Sequence, residues 1–322
     1  MVLTTALTQA ISIINGMQQI YGIEKGGFKV EIYYADIKGI PDVLSLKKAI
    51  ESGVLKVVET GSVHKVVIEN KSGQRILLQR GDVIVGGKQN RTILSPILAP
   101  ANQVFNIPVN CVEAGRWSYS RVGEVIVRLR RREFAHIERL PMYLRAKFLQ
   151  KEVTMKTRSE YLGEVTSKGQ TELWEDINES SEKLAALSPT SDVVEIIRKA
   201  RTDIDKDLEK VPENATIVVY YYREKIIALE AYFIDGARDI IIDNIRGAYA
   251  DYLYYERERI ETPDAAERVE EIVDELKHSE LSEPGKIGEE EVVNIDMRRY
   301  VGQIVCIDNK PIVMEIKLKV EI

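Results

Sequence analysis

The first third of the chain changes from a helical to a two-residue hydrophobic pattern. Apolar residues recur at helical spacing over residues 3–20, which predicts an amphipathic first helix that ends before Gly22. From Phe28 apolar and polar residues alternate, as in a half-buried strand. A short helix with Ser45 as its N-cap is predicted over residues 45–52. Short strands separated by polar turns are predicted at residues 55–59, 63–69, 75–79, 83–85 and 107–113.

Helical spacing returns in the middle of the chain and gives way to hairpins. Residues 131–210 have a helical pattern that is interrupted by glycine and proline. A β-hairpin is then predicted over residues 217–233, a helix over 235–259 and a second hairpin over 303–318, because β-forming runs flank short polar turns. Strands therefore dominate both ends of the chain.

These elements together predict an α+β protein with a β-rich core, helices packed on one side, and the two later β-hairpins completing the sheets. The main domain is predicted over residues 1–277. Within it we expect a β-rich core at about 28–127, a helical segment at about 131–210, and a hairpin plus helix at about 215–260. Residues 278–291 are acidic and contain proline and glycine, which predicts a linker, and residues 292–322 are expected to be strands that pack back on the main body.

The two hairpins also match in detail. Lys225 and Lys310 lie in their turns, and Glu230 and Glu315 follow at the same offset inside otherwise apolar strands. This match indicates a weak internal repeat. The alternative is that tight hairpins in general favour a polar turn and an occasional acid.

The composition narrows the class of protein. With 322 residues, of which 44% are hydrophobic, the chain can bury an ordinary core. No run of about eighteen apolar residues is present, so no membrane span is predicted, and a basic secretory signal is missing at the start. We expect a cytoplasmic protein. Abundant Glu, Lys, Arg and Ile with few Cys, His and Met are typical of a thermophile.

The charge balance bears on the partner. A net charge of −6 argues against a protein that coats nucleic acid, so a small partner is expected. The basic cluster Arg128 to Arg132 is interpreted as a solvated surface rather than a nucleic-acid site, because Glu133 and Glu138 are close by in the sequence. Tyrosine groups at 220–222 and 249–255 are interpreted as core and subunit interface, which makes a homo-oligomer a hypothesis.

Two polar clusters at strand ends form the candidate site. The first follows the strand 83–85 and consists of Gly86, Gly87, Lys88, Gln89, Asn90 and Arg91. Its glycines allow close approach of backbone N–H groups, while its side chains supply cationic and neutral donors. The second cluster contains Glu113, Arg116 and Trp117. Such groups suit a phosphate, a carboxylate or a nucleotide edge, and we treat the clusters as one predicted site for a small anionic ligand.

Other interpretations of these clusters remain open. The spacing from Gly81 to Lys88 does not fit a phosphate-binding P-loop, and Gln89 replaces the Ser or Thr that would hold magnesium. Lys88 to Arg91 could instead pair with acids inside the fold, and Arg116 with Trp117 could form an internal cation–π contact.

Catalytic and metal chemistry have weak sequence support. Cys111 is interpreted as a buried, inert thiol, because His64, His136 and His278 are too scattered to identify a base for it. No Cys or His spacing typical of a metal centre occurs, so no metal site and no cofactor are predicted. A carboxylate-bound magnesium is left open without support.

At these clusters the sequence resembles a known family. This is the domain named for its association with ADP-ribosylglycohydrolases and with rhodanese/phosphatase-superfamily proteins. The segments that carry the resemblance are 69–72, 81–82, 86–91, 107–109, 111–113, 115–117, 170–174, 188–190 and 219–233. The family's biochemical activity is not established, and its name implies a role near ADP-ribose or other NAD-derived nucleotides.

Three functional hypotheses follow. The first is binding of a small anionic ligand such as an ADP-ribose-like nucleotide, with Lys88 and Arg91 on phosphate, Gln89, Asn90 and Glu113 orienting the ligand, and Arg116 with Trp117 closing the site. The second is a structural or oligomeric assembly module in which the polar motif is a fold determinant. The third is a hydrolase of a phosphate or glycosidic linkage with Glu113 as the candidate catalytic base. Whether the protein is an enzyme is left undecided.

Overall fold

A computed structural model describes most of the chain. The described residues are 2–37, 42–59, 62–85, 89–113, 137–167, 169–183, 193, 204–257, 259, 261–282 and 285–320. In this part the helices are α1 (Val2–Asn15), α2 (Leu46–Glu51), α3 (Met142–Thr154), α4 (Arg158–Ser167), α5 (Gly169–Lys183), α6 (Asp205–Leu208), α7 (Arg238–Arg257) and α8 (Val269–Lys277).

The strands of the described chain are likewise numbered in order. They are β1 (Gln18–Lys25), β2 (Phe28–Tyr34), β3 (Val43–Ser45), β4 (Leu55–Glu59), β5 (Lys65–Asn70), β6 (Arg75–Leu78), β7 (Asp82–Ile84), β8 (Arg91–Ile93), β9 (Ile97–Ala99), β10 (Val104–Cys111), β11 (Ile137–Arg139), β12 (Ile217–Tyr222), β13 (Lys225–Tyr232), β14 (Glu280–Leu281), β15 (Glu291–Asp296), β16 (Tyr300–Ile307) and β17 (Lys310–Leu318). The α+β class and the β-rich core are thus confirmed.

The largest sheet of the described chain has eight antiparallel strands in the order β1-β2-β12-β13-β17-β16-β15-β14. Both predicted hairpins lie at its centre and share their local structure. Each turn has two residues at positive φ, Arg223 and Glu224 in one and Asp308 and Asn309 in the other. This is the turn that matches the twist of paired strands. Each hairpin also has a bulge at the same offset.

The register between the hairpins follows from this likeness. Strands β13 and β17 pair with Glu230 directly opposite Glu315, and the neighbouring pairs are arranged symmetrically about them. The sequence match between the hairpins therefore corresponds to a repeated structure, and it brings the two buried carboxylates face to face.

The two faces of this sheet bury different helices, because successive strand residues point to opposite sides. Helix α7 packs on one face through residues such as Ile241 and Ile245. Helices α1 and α8 pack on the other face, through Ala10 in the first and Ile272 in the second. Helices thus lie on both faces of the large sheet. The amphipathic pattern identifies which residues of a helix are buried but not which face of the sheet they bury.

Two smaller sheets carry the first third of the chain. One has the order β11-β7-β8-β10-β5-β4 and the other β3-β6-β9 within the described residues. Strands β8 and β9 have three residues each and are wholly buried. They lack the alternation that signals a strand, so the sequence pattern missed them. Strand β1 begins at Gln18, inside the segment predicted as the first helix.

A polar row crosses the α7 face of the large sheet. Glu230 on β13, Glu315 on β17, Gln303 on β16 and Asn294 on β15 occupy neighbouring positions in the strand pairing. All four are buried. A buried charge without a partner is strongly destabilising, so this row needs cations from elsewhere.

The cations come from elements far away in the sequence. Arg80, in the turn between β6 and β7, donates to Glu315 (2.9 Å), to Gln303 (2.8 Å) and to Glu152 on α3 (2.7 Å). On the same helix, Arg145 donates to Glu230 over 2.6 Å. The polar row thereby joins the small sheets and α3 to the centre of the large sheet.

These contacts extend into one buried ionic network. Its members among the described residues are Arg80, Asp82, Arg139, Arg145, Glu152, Arg158, Glu230, Glu290, Glu315 and Lys317. Asn244 on α7 connects the Asp82–Arg139 pair to Glu230. The network holds equal numbers of cations and anions, so its formal charge is zero.

The pKa of Glu230 reflects this environment. Burial alone would raise the pKa, but the charges of Arg145 and Lys317 outweigh it and hold the pKa of the Glu230 carboxyl far below its usual range. Tyr220, Tyr232 and Asn244 also donate hydrogen bonds to this carboxylate. The ionised form is therefore the one that the fold stabilises.

The segment predicted as an acidic linker contains packed structure. Strand β14 pairs with β15, and the Glu290 carboxylate is buried against Arg158 over 2.7 Å. It also accepts hydrogen bonds from the backbone of Leu98 and Ile287. The domain boundaries themselves stay predictions. Among the described helices, none combines the length and the apolar character needed to cross a membrane.

Replacing Glu230 by Gln is expected to destabilise the protein by about 3–5 kcal/mol at pH 7, because Arg145 and Lys317 would stay buried beside a neutral side chain. Urea unfolding of both proteins measures the difference. Glu267→Gln is a matched control, since Glu267 pairs with Lys225 over 2.7 Å at the surface. We expect a change of at most about 1 kcal/mol there. Equal losses in both variants would contradict the proposed importance of the network.

The difference between wild type and Glu230→Gln is expected to depend on pH. Because folding lowers the pKa of Glu230, its contribution to stability is complete above the unfolded value of about 4.3 and is lost as the pH falls below it. Unfolding free energies at pH 7, 5 and 3 should show a constant gap between the first two and a smaller gap at pH 3. A gap that grows at pH 3 would contradict this direction.

Candidate functional site

The predicted site residues fall into two groups. Gln89, Asn90, Arg91 and Glu113 belong to the described chain and are all buried. Gly86, Gly87, Lys88, Arg116 and Trp117 lie outside the described residues.

Strand pairing brings the two sequence clusters together. Strand β8 begins at Arg91 and β10 ends at Cys111, and these two residues are opposite each other in the antiparallel pair. The segments before β8 and after β10 therefore leave the sheet side by side. The described members of two clusters that are about twenty residues apart in the sequence thus lie next to each other in the fold.

Hydrogen bonds fasten the two segments beyond the strand ends. The Gln89 Nε2 group donates to the Glu113 carbonyl over 2.8 Å, and the Asn90 N–H donates to the Glu113 carboxylate over 3.2 Å. The Val112 N–H donates to the Asn90 carbonyl. We call Gln89, Asn90, Arg91, Cys111 and Glu113 the motif clamp.

Arg91 lies along the inside of this clamp. Its Nη1 donates to the Gln89 carbonyl over 3.0 Å and lies 3.6 Å from the Cys111 Sγ. Its Nη2 contacts the Ser62 carbonyl at 3.5 Å. A planar guanidinium has five donors in a fixed fork, so one side chain can hold several chain segments at once.

Gln170 completes the sheet where β5 is missing. The Val109 N–H still donates to the His64 carbonyl, directly before β5. The backbone N–H and carbonyl of Cys111, two residues further along β10, have no partner on β5. Instead Gln170 accepts from the Cys111 N–H over 3.0 Å and donates to its carbonyl over 2.7 Å. A carboxamide has one acceptor and two donors, so it can replace a strand residue. Gln170 belongs to a segment that carries the family resemblance, which was its only signal in the sequence.

A histidine that the sequence analysis set aside lies beside the same strand end. The His64 Nδ1 is 3.2 Å from the Asn110 Oδ1. Because the Asn110 Nδ2 donates to the Val165 carbonyl over 2.7 Å, the amide oxygen faces the ring. The Nδ1 atom is then the protonated one, an assignment that follows from the hydrogen bonds. The distance of 46 residues hid this pair from sequence reasoning.

Both cysteines are buried, which for Cys111 agrees with its interpretation as a buried thiol. Burial raises the pKa of the Cys306 thiol to about 12, so this group stays protonated. Among the residues that the structure describes, no group of three His, Cys, Asp or Glu side chains comes together as metal ligands.

Replacing Gln170 by Ala is expected to destabilise the protein by about 1–3 kcal/mol, because the N–H and the carbonyl of Cys111 lose their partners. Urea unfolding measures this difference. Glu175→Ala on the exposed side of the same helix controls for the change in helix composition and is expected to stay within about 0.5 kcal/mol of wild type. Equal stability of both variants would contradict the role of Gln170.

Comparisons with known proteins give one match. The model of the ARG and Rhodanese-Phosphatase-superfamily-associated Protein domain matches residues 30–316, which include every strand from β3 to β16 and the whole motif clamp. Neither the curated proteins nor the solved structures contain a match. Because the family match covers far more than half of the chain, the chain belongs to the ARG and Rhodanese-Phosphatase-superfamily-associated Protein domain family.

Proposed function

We propose that this protein binds a small anionic ligand, an ADP-ribose-like or other NAD-derived nucleotide, at the motif clamp. The observation that carries the proposal is the pair of hydrogen bonds from Gln89 and Asn90 to Glu113, which joins the two polar clusters into one place. A cytoplasmic location and a homo-oligomeric state belong to the same proposal.

Chain connectivity supports a concentration of positive charge there. Lys88 is bonded directly to Gln89, and Arg116 follows Glu113 by three residues. Consecutive Cα atoms are about 3.8 Å apart, so each cation is at most a few residues of chain away from a bonded residue of the clamp, Gln89 for Lys88 and Glu113 for Arg116. Two cations and the backbone N–H groups beside glycine are the usual partners of a pyrophosphate.

From the described contacts we infer different tasks for the motif residues. Asn90 and Arg91 bond to protein atoms and are buried, so they shape the site and support it. The phosphate contact is therefore assigned to Lys88 and Arg116, with Trp117 as the covering ring. In this arrangement Arg91 and Asn90 position the ligand-binding segments without holding phosphate themselves.

The alternatives stay predictions. The bonds within the motif clamp favour a role in the fold, which the assembly hypothesis requires. That role is compatible with ligand binding, because a site needs rigid support. The hydrolase hypothesis needs a second acid near Glu113, whose carboxylate accepts the Asn90 N–H.

Isothermal titration calorimetry with ADP-ribose, NAD and inorganic pyrophosphate tests the proposal. We expect wild type to bind at least one of them, and Lys88→Ala to bind it roughly tenfold more weakly, because a charge-assisted contact to phosphate is lost. Lys277→Ala is the control, since Lys277 is an exposed lysine on α8 paired with Asp274. Its affinity should equal that of wild type.

Two outcomes would contradict the proposal. One is the absence of heat with all three compounds when circular dichroism shows folded protein. The other is an equal loss of affinity in Lys88→Ala and Lys277→Ala, which would indicate a nonspecific effect of net charge. Arg91→Ala is less informative, because the Arg91 side chain holds the Gln89 and Ser62 carbonyls.

A further inference from the structure

Two buried polar atoms beside the motif clamp have no hydrogen-bond partner among the described residues. They are the carboxamide oxygen of Gln89, which is an acceptor, and the indole N–H of Trp174, which is a donor. Neither side chain belongs to the segments outside the described chain. Buried polar atoms are nearly always bonded in native proteins, so each such atom requires a reason.

The orientation of the Gln89 amide is fixed. Its Nε2 donates to the Glu113 carbonyl over 2.8 Å, and a carbonyl can only accept, so the other amide atom is the oxygen. The side chain is 3% exposed. The free lone pairs of this oxygen are therefore held in place next to the end of β10 and away from bulk water.

Helix α5 brings Trp174 to the same strand end. Gln170 on this helix holds both the N–H and the carbonyl of Cys111. Trp174 follows four residues later, so the two side chains share one face of the helix. Trp174 also packs against the apolar cluster that contains Val112. The indole thus packs against the apolar cluster to which Val112 belongs, while the Gln89 amide is bonded to Glu113.

We propose that the Gln89 oxygen and the Trp174 N–H are the polar contacts for one edge of the ligand. That edge carries an N–H donor beside a hydrogen-bond acceptor. This inference rests on the proposed function and narrows it. Within NAD-derived nucleotides such an edge occurs in the 6-aminopurine ring of adenine and in the carboxamide of nicotinamide. Both offer an amino hydrogen to Gln89 and a lone pair to Trp174.

The chemistry of the edge also predicts what is rejected. Hypoxanthine presents an oxygen where adenine presents its amino group, and nicotinic acid presents a carboxylate where nicotinamide presents its amide. Either replacement places an acceptor against the Gln89 oxygen. A site with buried polar groups discriminates against an analogue that leaves them unpaired.

Calorimetry with two matched pairs of compounds tests the inference. One pair is ADP-ribose and inosine diphosphate ribose, and the other is nicotinamide mononucleotide and nicotinic acid mononucleotide. We expect wild type to prefer the first member of at least one pair by roughly tenfold or more. The pair that shows the preference identifies adenine or nicotinamide as the recognised group.

Trp174→Phe separates the role of the N–H from that of the ring. The substitution removes the donor and retains an aromatic side chain, so we expect the preference to fall to about threefold or less. Its thermal midpoint should not fall by more than that of Tyr161→Phe, in which the hydroxyl bonded to the Leu94 carbonyl is removed. This comparison controls for a general loss of packing in the apolar cluster that contains Tyr161 and against which Trp174 packs.

The outcomes distinguish the inference from the proposed function. Equal binding of both members of each pair by wild type overturns the inference and leaves ligand binding intact. An undiminished preference in Trp174→Phe overturns it as well. No binding of any of the four compounds also overturns the inference, and the two buried atoms are then explained by ordered water. The proposed function is in that case decided by NAD and inorganic pyrophosphate.

Discussion

The opposition of Glu230 and Glu315 across β13 and β17 is the constraint on which the rest of the structure depends. Two carboxylates directly opposite each other in a sheet repel, and burial makes the repulsion stronger. The sheet can place them there only if cations cover them. Lys317 contacts both carboxylates, but it cannot neutralise two charges. The remaining positive charge comes from Arg80 and Arg145, outside this sheet.

That requirement fixes how the elements are assembled. Arg80 reaches Glu315 from the turn between β6 and β7, where Gly81 has a φ of +80° and lies against Arg145. A Cβ at Gly81 would come within 2.6 Å of the Arg145 side chain, so glycine allows this close approach. Asp82, at the start of β7, is in turn held by Arg139. The same strand pairs with β8, which begins at the motif clamp. The network therefore positions the candidate site through β7 and β8.

The sequence allowed prediction of those features whose signal is local. The hairpins have period-two patterns and polar turns, so they were predicted with their helix, and the equal offset of Glu230 and Glu315 was visible as a match. The two motif clusters were predicted as one site because each follows an apolar strand. Their pairing through Arg91 and Cys111 agrees with that expectation.

Features that depend on long-range pairing were not predictable from one sequence. Arg80, Arg145 and Arg158 resemble surface charges in the sequence, since the carboxylates that accept their hydrogen bonds are 72 to 235 residues away. The role of Gln170 was not predictable for the same reason, because Gln170 is 59 residues from Cys111, whose backbone it bonds in place of a strand partner. Strands β8 and β9 were missed because a three-residue strand that is buried on both faces has neither length nor alternation.

The two buried polar centres differ in a way that bears on their roles. In the ionic network the Glu230 carboxylate accepts hydrogen bonds from Arg145, from Lys317, from two tyrosines and from one amide. These bonds occupy its acceptor positions and leave none for a ligand. At the motif clamp, by contrast, Gln89 bonds through one amide atom only. Its oxygen remains an acceptor and the Trp174 N–H on α5 remains a donor without a partner among the described residues. The Nη2 atom of Arg145 also lacks a described partner, but the Nη1 and Nε atoms of that side chain donate to Glu230 and to the Leu140 carbonyl. A fully bonded centre stabilises one arrangement of the chain. A centre with an unpartnered donor and acceptor among the described residues retains capacity for a ligand, and this is the physical reason for proposing recognition beside the motif clamp.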